Sequence, residues 1–194
     1  IPIGSLPKFF RNHLEIFKKR NKHYLKSDRK KTNIIRNKLR SSGLEKIVGI
    51  SWQSSSKLNK NKSIALEEFV MGIYSEKICL LNLQYGNTKD QINRIKEKYN
   101  IEILEIEEID LYNNIDDLAS LISACDYIVS IDNVTAILAG ALSSNCNLLL
   151  QNSPHWYWGI NDIRSYWFNS IKLYRQNEIN GWEGAFKDIK NILI

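Results

Sequence analysis

The residues most able to do chemistry sit where apolar runs give way to polar ones. Ser130-Ile131-Asp132-Asn133-Val134-Thr135-Ala136 ends one such run and opens a segment rich in small residues, Ala139, Gly140 and Ala141. The first N–H groups of a helix lack partners and sit at the positive end of its dipole. Small side chains let a phosphate approach them, so the segment reads as an anion seat. An ordinary N-cap at Asp132 or Asn133 accounts for the same residues equally well. Ser51 to Ser56, followed by Lys57, Lys60 and Lys62, offers hydroxyls and ammonium groups suited to phosphate or sugar oxygens, or forms a plain polar loop. Gln84-Tyr85-Gly86 places an aromatic ring beside a turn. His155-Trp156-Tyr157-Trp158 offers a stacking surface, or packs beneath the N-terminal segment. Asp110, Asp116 and Asp117 could suggest acid–base work, but two of them open an expected helix, where carboxylates favour the dipole anyway.

Several chemistries lose weight by what is missing. There is no Gly-Lys-Ser/Thr phosphate loop and no Gly-x-Gly-x-x-Gly fingerprint. Cys79, Cys125 and Cys146 lie in apolar runs without a Cys or His at metal-ligand spacing, and read as buried thiols of a reducing compartment. His13, His23 and His155 are scattered, so no metal site is expected.

These segments need elements to position them. Apolar runs of strand length cover Ile47–Trp52, Ile78–Leu83, Ile101–Ile106, Tyr127–Ile131, Asn147–Leu150 and Ile171–Tyr174. They lack polar alternation, as strands buried on both faces of a parallel sheet do. Amphipathic segments near 64–75, 88–98, 116–124, 133–142 and 182–193 alternate with them, and another over 28–41 precedes the first strand. The expected fold is α/β, a Rossmann-like doubly wound parallel sheet of about six strands. In such a sheet ligands bind beyond the carboxyl ends of the strands, where the candidate residues fall.

The chain has 194 residues and 43% hydrophobic composition, enough for a real core. A mean hydropathy of −0.33 argues against a membrane span. The start at Ile1-Pro2-Ile3, without a Met or signal pattern, suggests excision from a longer protein. The net charge of +6 is uneven. Residues 8–40 hold 13 Lys or Arg against Glu15 and Asp28, a balance of +11, and the rest of the chain carries −5. A basic arm can meet nucleic acid or an anionic membrane. Leu6, Phe9, Phe10, Leu14 and Phe17 recur at helical spacing, so the preferred reading is an arm docked by its apolar side with its cations in water. No specific nucleic-acid partner is expected.

The order of motifs carries a resemblance. Val48-Gly49-Ile50-Ser51-Trp52, Lys62-Ser63-Ile64, Leu83-Gln84-Tyr85-Gly86 and Ile115-Asp116-Asp117-Leu118-Ala119 come first. Asp132-Asn133, Leu138-Ala139-Gly140-Ala141, Trp156-Tyr157-Trp158, Ser165-Tyr166-Trp167-Phe168 and Leu173-Tyr174-Arg175-Gln176 follow. Together they resemble the C-terminal half of heptosyltransferase-like glycosyltransferases of the GT-B fold, especially bacterial cytoplasmic proteins that fuse this half to tetratricopeptide repeats. The resemblance implies that residues 45–194 form a domain binding a nucleotide-diphosphate sugar, with 1–44 as a basic helical arm packed on it. The donor is a substrate, and no cofactor or metal is implied. Asp132, Asn133, Thr135 and Ala136 would hold the diphosphate. Ser54, Ser55 and Lys57 would reach phosphates or sugar, and Gln84, Tyr85, Trp156 and Trp158 would line the nucleoside pocket. A separate N-terminal domain would bring the unknown acceptor and the catalytic base, leaving this chain inactive alone. Two departures stand out: Ile137 where the family has histidine, and Tyr157 where it has arginine. The alternative reading is a silent binding or scaffolding domain that keeps the fold.

Overall fold

Runs of Ile, Val and Leu without alternation can satisfy both their apolar side chains and their backbone groups only inside a covered sheet, and that is where they lie. The computed structural model describes residues 2–18, 23–40, 46–54, 62–177 and 181–194. Among these, six parallel strands form one sheet: β1 (Lys46–Ser51), β2 (Ile78–Asn82), β3 (Ile103–Leu104), β4 (Tyr127–Ile131), β5 (Cys146–Leu150) and β6 (Ile171–Arg175). Their spatial order is β3-β2-β1-β4-β5-β6. The helices are α1 (Pro7–Phe10), α2 (Arg29–Arg40), α3 (Leu66–Ile73), α4 (Lys89–Tyr99), α5 (Ile115–Ala124), α6 (Val134–Ala141) and α7 (Glu183–Leu193). The fold is the expected Rossmann-like α/β arrangement.

The pleat divides each strand between two cores. Val48, Ile50, Leu80 and Val129 meet Phe69, Val70 and Ile73 of α3 and Phe186 and Ile189 of α7. Ile47, Leu81, Ile128 and Leu148 meet Ile35 and Leu39 of α2, Leu118 and Ile122 of α5, and Ala139 of α6. The chain therefore winds outward from β1 on one side and from β4 on the other, and opens a crevice between the carboxyl ends of these two strands.

Both sheet edges are short of free backbone. At one edge β3 pairs with β2 only through Leu80↔Ile103 and Leu81↔Leu104, although an apolar run over 101–106 predicts a longer strand. Glu102 and Glu105 interrupt that run, and a strand with one neighbour gains little by extending. At the other edge, residues 163–165 cover β6: Leu173 N donates to Ile163 O at 2.9 Å and Ser165 N to Ile171 O at 3.2 Å.

The basic segment is held by charge as much as by apolar contact. Ile35 and Leu39 are buried, and Lys31 pairs with Asp117. Arg36 donates from Nε to Ala124 O at 3.0 Å and from Nη2 to Ser123 O at 3.1 Å and Cys125 O at 3.3 Å. These carbonyls end α5 and would otherwise lack partners. Arg36→Met is expected to cost about 1.5–3 kcal/mol, the worth of a charged hydrogen bond, read from urea denaturation; a loss below about 0.5 kcal/mol would mean water replaces it.

The first stretch departs from expectation. It forms one-turn pieces rather than a docked amphipathic helix: α1 lies between 3₁₀ turns at Ile3–Ser5 and Leu14–Lys18. Pro7 fits only a helix start, and Asn12 and His13 favour a break. Leu6, Phe9, Phe10 and Leu14 are exposed. Phe17 alone of the five docks by its ring, 5.8 Å from Tyr166 and 5.2 Å from Trp167. The boundary placed between 44 and 45 falls in 41–45, outside the described residues. The three cysteines are buried and unpaired; burial pushes the Cys79 thiol up to about 11, with Glu102 adding to it, and the Cys146 thiol up to about 12.

Candidate functional site

The crevice is built by three side chains that tie its walls together. Asn133, the N-cap of α6, accepts at Oδ1 from Thr135 N (3.0 Å), Ala136 N (3.4 Å) and Ser130 Oγ (3.0 Å). Its Nδ2 donates to Ser51 Oγ at 2.7 Å and Gln53 O at 3.4 Å, which joins the end of β1 to the start of α6. Gln84, at the end of β2, accepts at Oε1 from Ser51 Oγ (3.0 Å), Trp52 N (3.1 Å) and Gln53 N (2.9 Å). Gln91 of α4 accepts from Trp52 Nε1 at 2.9 Å. The strand end is thus fixed by amides whose acceptors are already in use.

Charge gathers beside this frame. After the polar loop, Ile64 N donates to Trp52 O at 2.9 Å, which returns the chain to the end of β1 and brings Lys62 inward. Lys62 Nζ donates to Asp132 Oδ2 at 2.9 Å, and the two residues are only 8% and 7% exposed. His155 Nε2 lies 2.8 Å from the same ammonium and 3.8 Å from Asp132 Oδ2. An ammonium can only donate, so Nε2 is the acceptor in this contact. Tyr157 stacks on His155 (5.3 Å, 16°) and aims its hydroxyl at Asp132 Oδ1, 3.5 Å away. Burial, then the Asp132 charge, pushes that phenol up to about 12, so it remains a donor. Lysine, aspartate, histidine and tyrosine therefore converge at the mouth of the crevice, a group able to receive an anion and to orient hydroxyls.

Each expected site residue has a definite place. Asp132 and Asn133 are at the crevice, with Asn133 spent on the walls. Thr135 and Ala136 are fully buried; Asn133 already holds their N–H groups, and the Thr135 hydroxyl has no partner among the described residues. Of the two readings of this segment, the N-cap is in use at Asn133. Gln84 is buried as a bracket rather than lining a pocket with a free amide. Tyr85 is half-buried, its ring 6.0 Å from that of Tyr112. Trp156 is 78% exposed, whereas Trp158 is fully enclosed in the second core, so only the first presents a ring to solvent. Ser54 N donates to Ser63 Oγ at 3.0 Å. Ser55 and Lys57 lie outside the described residues. Ile137 is half-buried against the second core. Asp110 accepts from the N–H groups of Tyr112 and Asn113 and from Asn113 Nδ2; these hydrogen bonds, led by the side-chain one, hold its carboxyl below the usual range in a turn. No group of three or more His, Cys, Asp or Glu among the described residues could hold a metal, and no helix there is long and apolar enough to cross a membrane.

Lys62 and His155 were not among the expected site residues, although both stand in segments singled out for their chemistry. Nothing local could have joined Lys62 to Asp132, which is 70 positions away.

The order β3-β2-β1-β4-β5-β6 with a polar crevice at β1/β4 defines a doubly wound α/β protein with its candidate site at the switch point. No family model matches the chain. It is 29% identical over 185 residues to Protein FlbA of Caulobacter vibrioides, a match covering 93% of this chain and 30% of FlbA. Its fold is similar to that of a glycosyl transferase family 9 protein of Veillonella parvula, with a TM-score of 0.58 and 11% identity over 79% of this chain and 42% of the other. The chain thus spans less than half the length of either protein.

Proposed function

We propose that the crevice is the donor site of a glycosyltransferase, taking a nucleotide-diphosphate sugar and passing the sugar to an acceptor carried by another domain. The observation that supports this most is the buried Lys62–Asp132 pair at the switch point. A buried ion pair adds little to stability over apolar packing, so a role in binding accounts for it better. Glycosyl transfer needs the charge of the leaving diphosphate stabilised as the glycosidic bond breaks. In this reading Lys62 supplies that charge, with Lys57, Ser54 and Ser55 reaching in from the loop. Asp132 accepts from sugar hydroxyls, and His155 donates to them. Trp156 and Tyr85 offer faces to the nucleoside. Asn133 and Gln84 keep the walls in register, and Thr135, Ala136 and Trp158 act from within the core. The fold likeness to a glycosyl transferase supports the same reading.

One observation favours a silent binding module instead: the N–H groups of Thr135 and Ala136 are occupied by Asn133, and Ile137 puts an aliphatic chain at the adjoining turn. Calorimetric titration with UDP, ADP and GDP separates the two readings. The wild type is expected to bind at least one, and Lys62→Gln to weaken it about tenfold or more, the worth of a charged hydrogen bond. Ile137→His is expected to tighten it. If none of the three nucleotides binds the wild type or Ile137→His, the donor-site reading falls and the silent module stands.

A further inference from the structure

His155 and Tyr157 reach the Lys62–Asp132 pair from a loop with little regular structure of its own, a single 3₁₀ turn at Trp156–Trp158. What fixes that loop comes from the next strand. Arg175, the last residue of β6, donates from Nη2 to Trp158 O at 3.0 Å, Gly159 O at 3.2 Å and Asp162 O at 3.4 Å. The three carbonyls belong to a tight reversal. Gly159 has φ +70°, and a Cβ there would run into the Asp162 carboxylate. Asp162 in turn accepts from Tyr166 OH at 2.5 Å. Arg175 Nε is buried without a partner among the described residues, as is Trp158 Nε1 just beneath the loop. Leaving a buried guanidinium N–H unpaired is unfavourable, and packing alone does not call for an arginine here. Three convergent carbonyls do, because the two hydrogens of one cationic amino group can be shared among them.

We propose that Arg175 is a positioning residue: by holding the carbonyls of Trp158, Gly159 and Asp162 it fixes the loop that delivers His155 and Tyr157 to Lys62 and Asp132. Its hydrogen bonds go to the three carbonyls and not to those four side chains, so it acts on them through the backbone reversal. The consequence for ligand binding rests on the donor-site reading above; the consequence for the loop does not.

The test therefore has two arms. In the first, lysines of the folded protein are acetylated and each site is quantified by mass spectrometry. Lys62, enclosed in the wild type, is expected to react about tenfold faster or more in Arg175→Met, in line with the loss of a charged hydrogen bond. Exposed Lys30 and Lys77 should react at unchanged rates. Arg175→Lys, which keeps a cation but on a shorter side chain, should fall between the two. Gly159→Ala, which strains the same reversal without touching Arg175, should also expose Lys62. In the second arm, Arg175→Met is expected to bind whichever of UDP, ADP or GDP the wild type binds about tenfold more weakly. If Arg175→Met folds with a wild-type circular dichroism spectrum and Lys62 stays as protected as before, the proposal is wrong. If Arg175→Met does not fold, Arg175→Lys decides: unchanged Lys62 protection there overturns the proposal, and raised reactivity upholds it. If the wild type binds no nucleotide, only the donor-site reading falls, and the acetylation arm still decides the role of Arg175.

Discussion

Asp132→Ala is expected to destabilise the protein by about 3–5 kcal/mol, because it leaves the Lys62 ammonium enclosed with only His155 Nε2 to receive it. The cost arises less from the lost attraction than from the uncompensated charge left behind. The double variant Lys62→Met, Asp132→Leu removes both charges and keeps apolar bulk, so it should recover most of that loss. Urea denaturation of both variants measures the difference. A loss below about 1 kcal/mol for Asp132→Ala would mean that Lys62 reaches water by opening the loop, and would reduce the pair to a surface contact.

A comparable effect is expected within the aromatic loop, where two tryptophans two positions apart should behave oppositely. Trp158 is fully enclosed by the core under α5 and α6, and Trp158→Ala should cost about 3–5 kcal/mol, the usual range for deleting a buried tryptophan. Trp156 is 78% exposed, and Trp156→Ala should change stability by no more than about 0.5 kcal/mol. If the loop stacks on a nucleoside, Trp156→Ala should instead weaken nucleotide binding, by about 1–1.5 kcal/mol on the scale of an aromatic pair. Equal stability losses in the two variants would contradict the division between core and rim.

Much of this architecture was legible because it rests on local rules. Strands buried on both faces announce themselves as runs rich in Ile, Val and Leu, and each of the six expected runs contributes a strand, the run over 101–106 only its two residues Ile103–Leu104. The helices between them follow from spacing, and the start of α6 at Val134 follows from the Asp132-Asn133 cap. The site was legible in position, since the candidate segments follow strand ends, but not in detail. A cap signature and an anion seat use the same residues, and only the geometry shows Asn133 occupying the N–H groups of Thr135 and Ala136. Trp156 and Trp158 look alike in sequence, and burial separates them. The pairing of Lys62 with Asp132 and the hold of Arg175 on the 158–162 carbonyls link distant strand ends, and no local pattern encodes them. The N-terminal arm misled for a related reason. Leu6, Phe9, Phe10 and Leu14 keep helical spacing, but Pro7 and Asn12 interrupt the backbone that would have aligned them.

The two borders of the sheet also bear on how copies of this protein meet one another. A parallel sheet of such apolar strands would be a ready template for intermolecular strand addition if either border were long and bare. At one border β3 offers two residues between Glu102 and Glu105, too little to seed a fibril and flanked by like charges that would oppose each other in a stack. At the other, the 163–165 segment already takes hydrogen bonds of β6, and Arg164 and Lys172 face each other across the bridge. Strand addition at this sheet is therefore opposed by backbone already engaged at one side and by brevity and acid at the other.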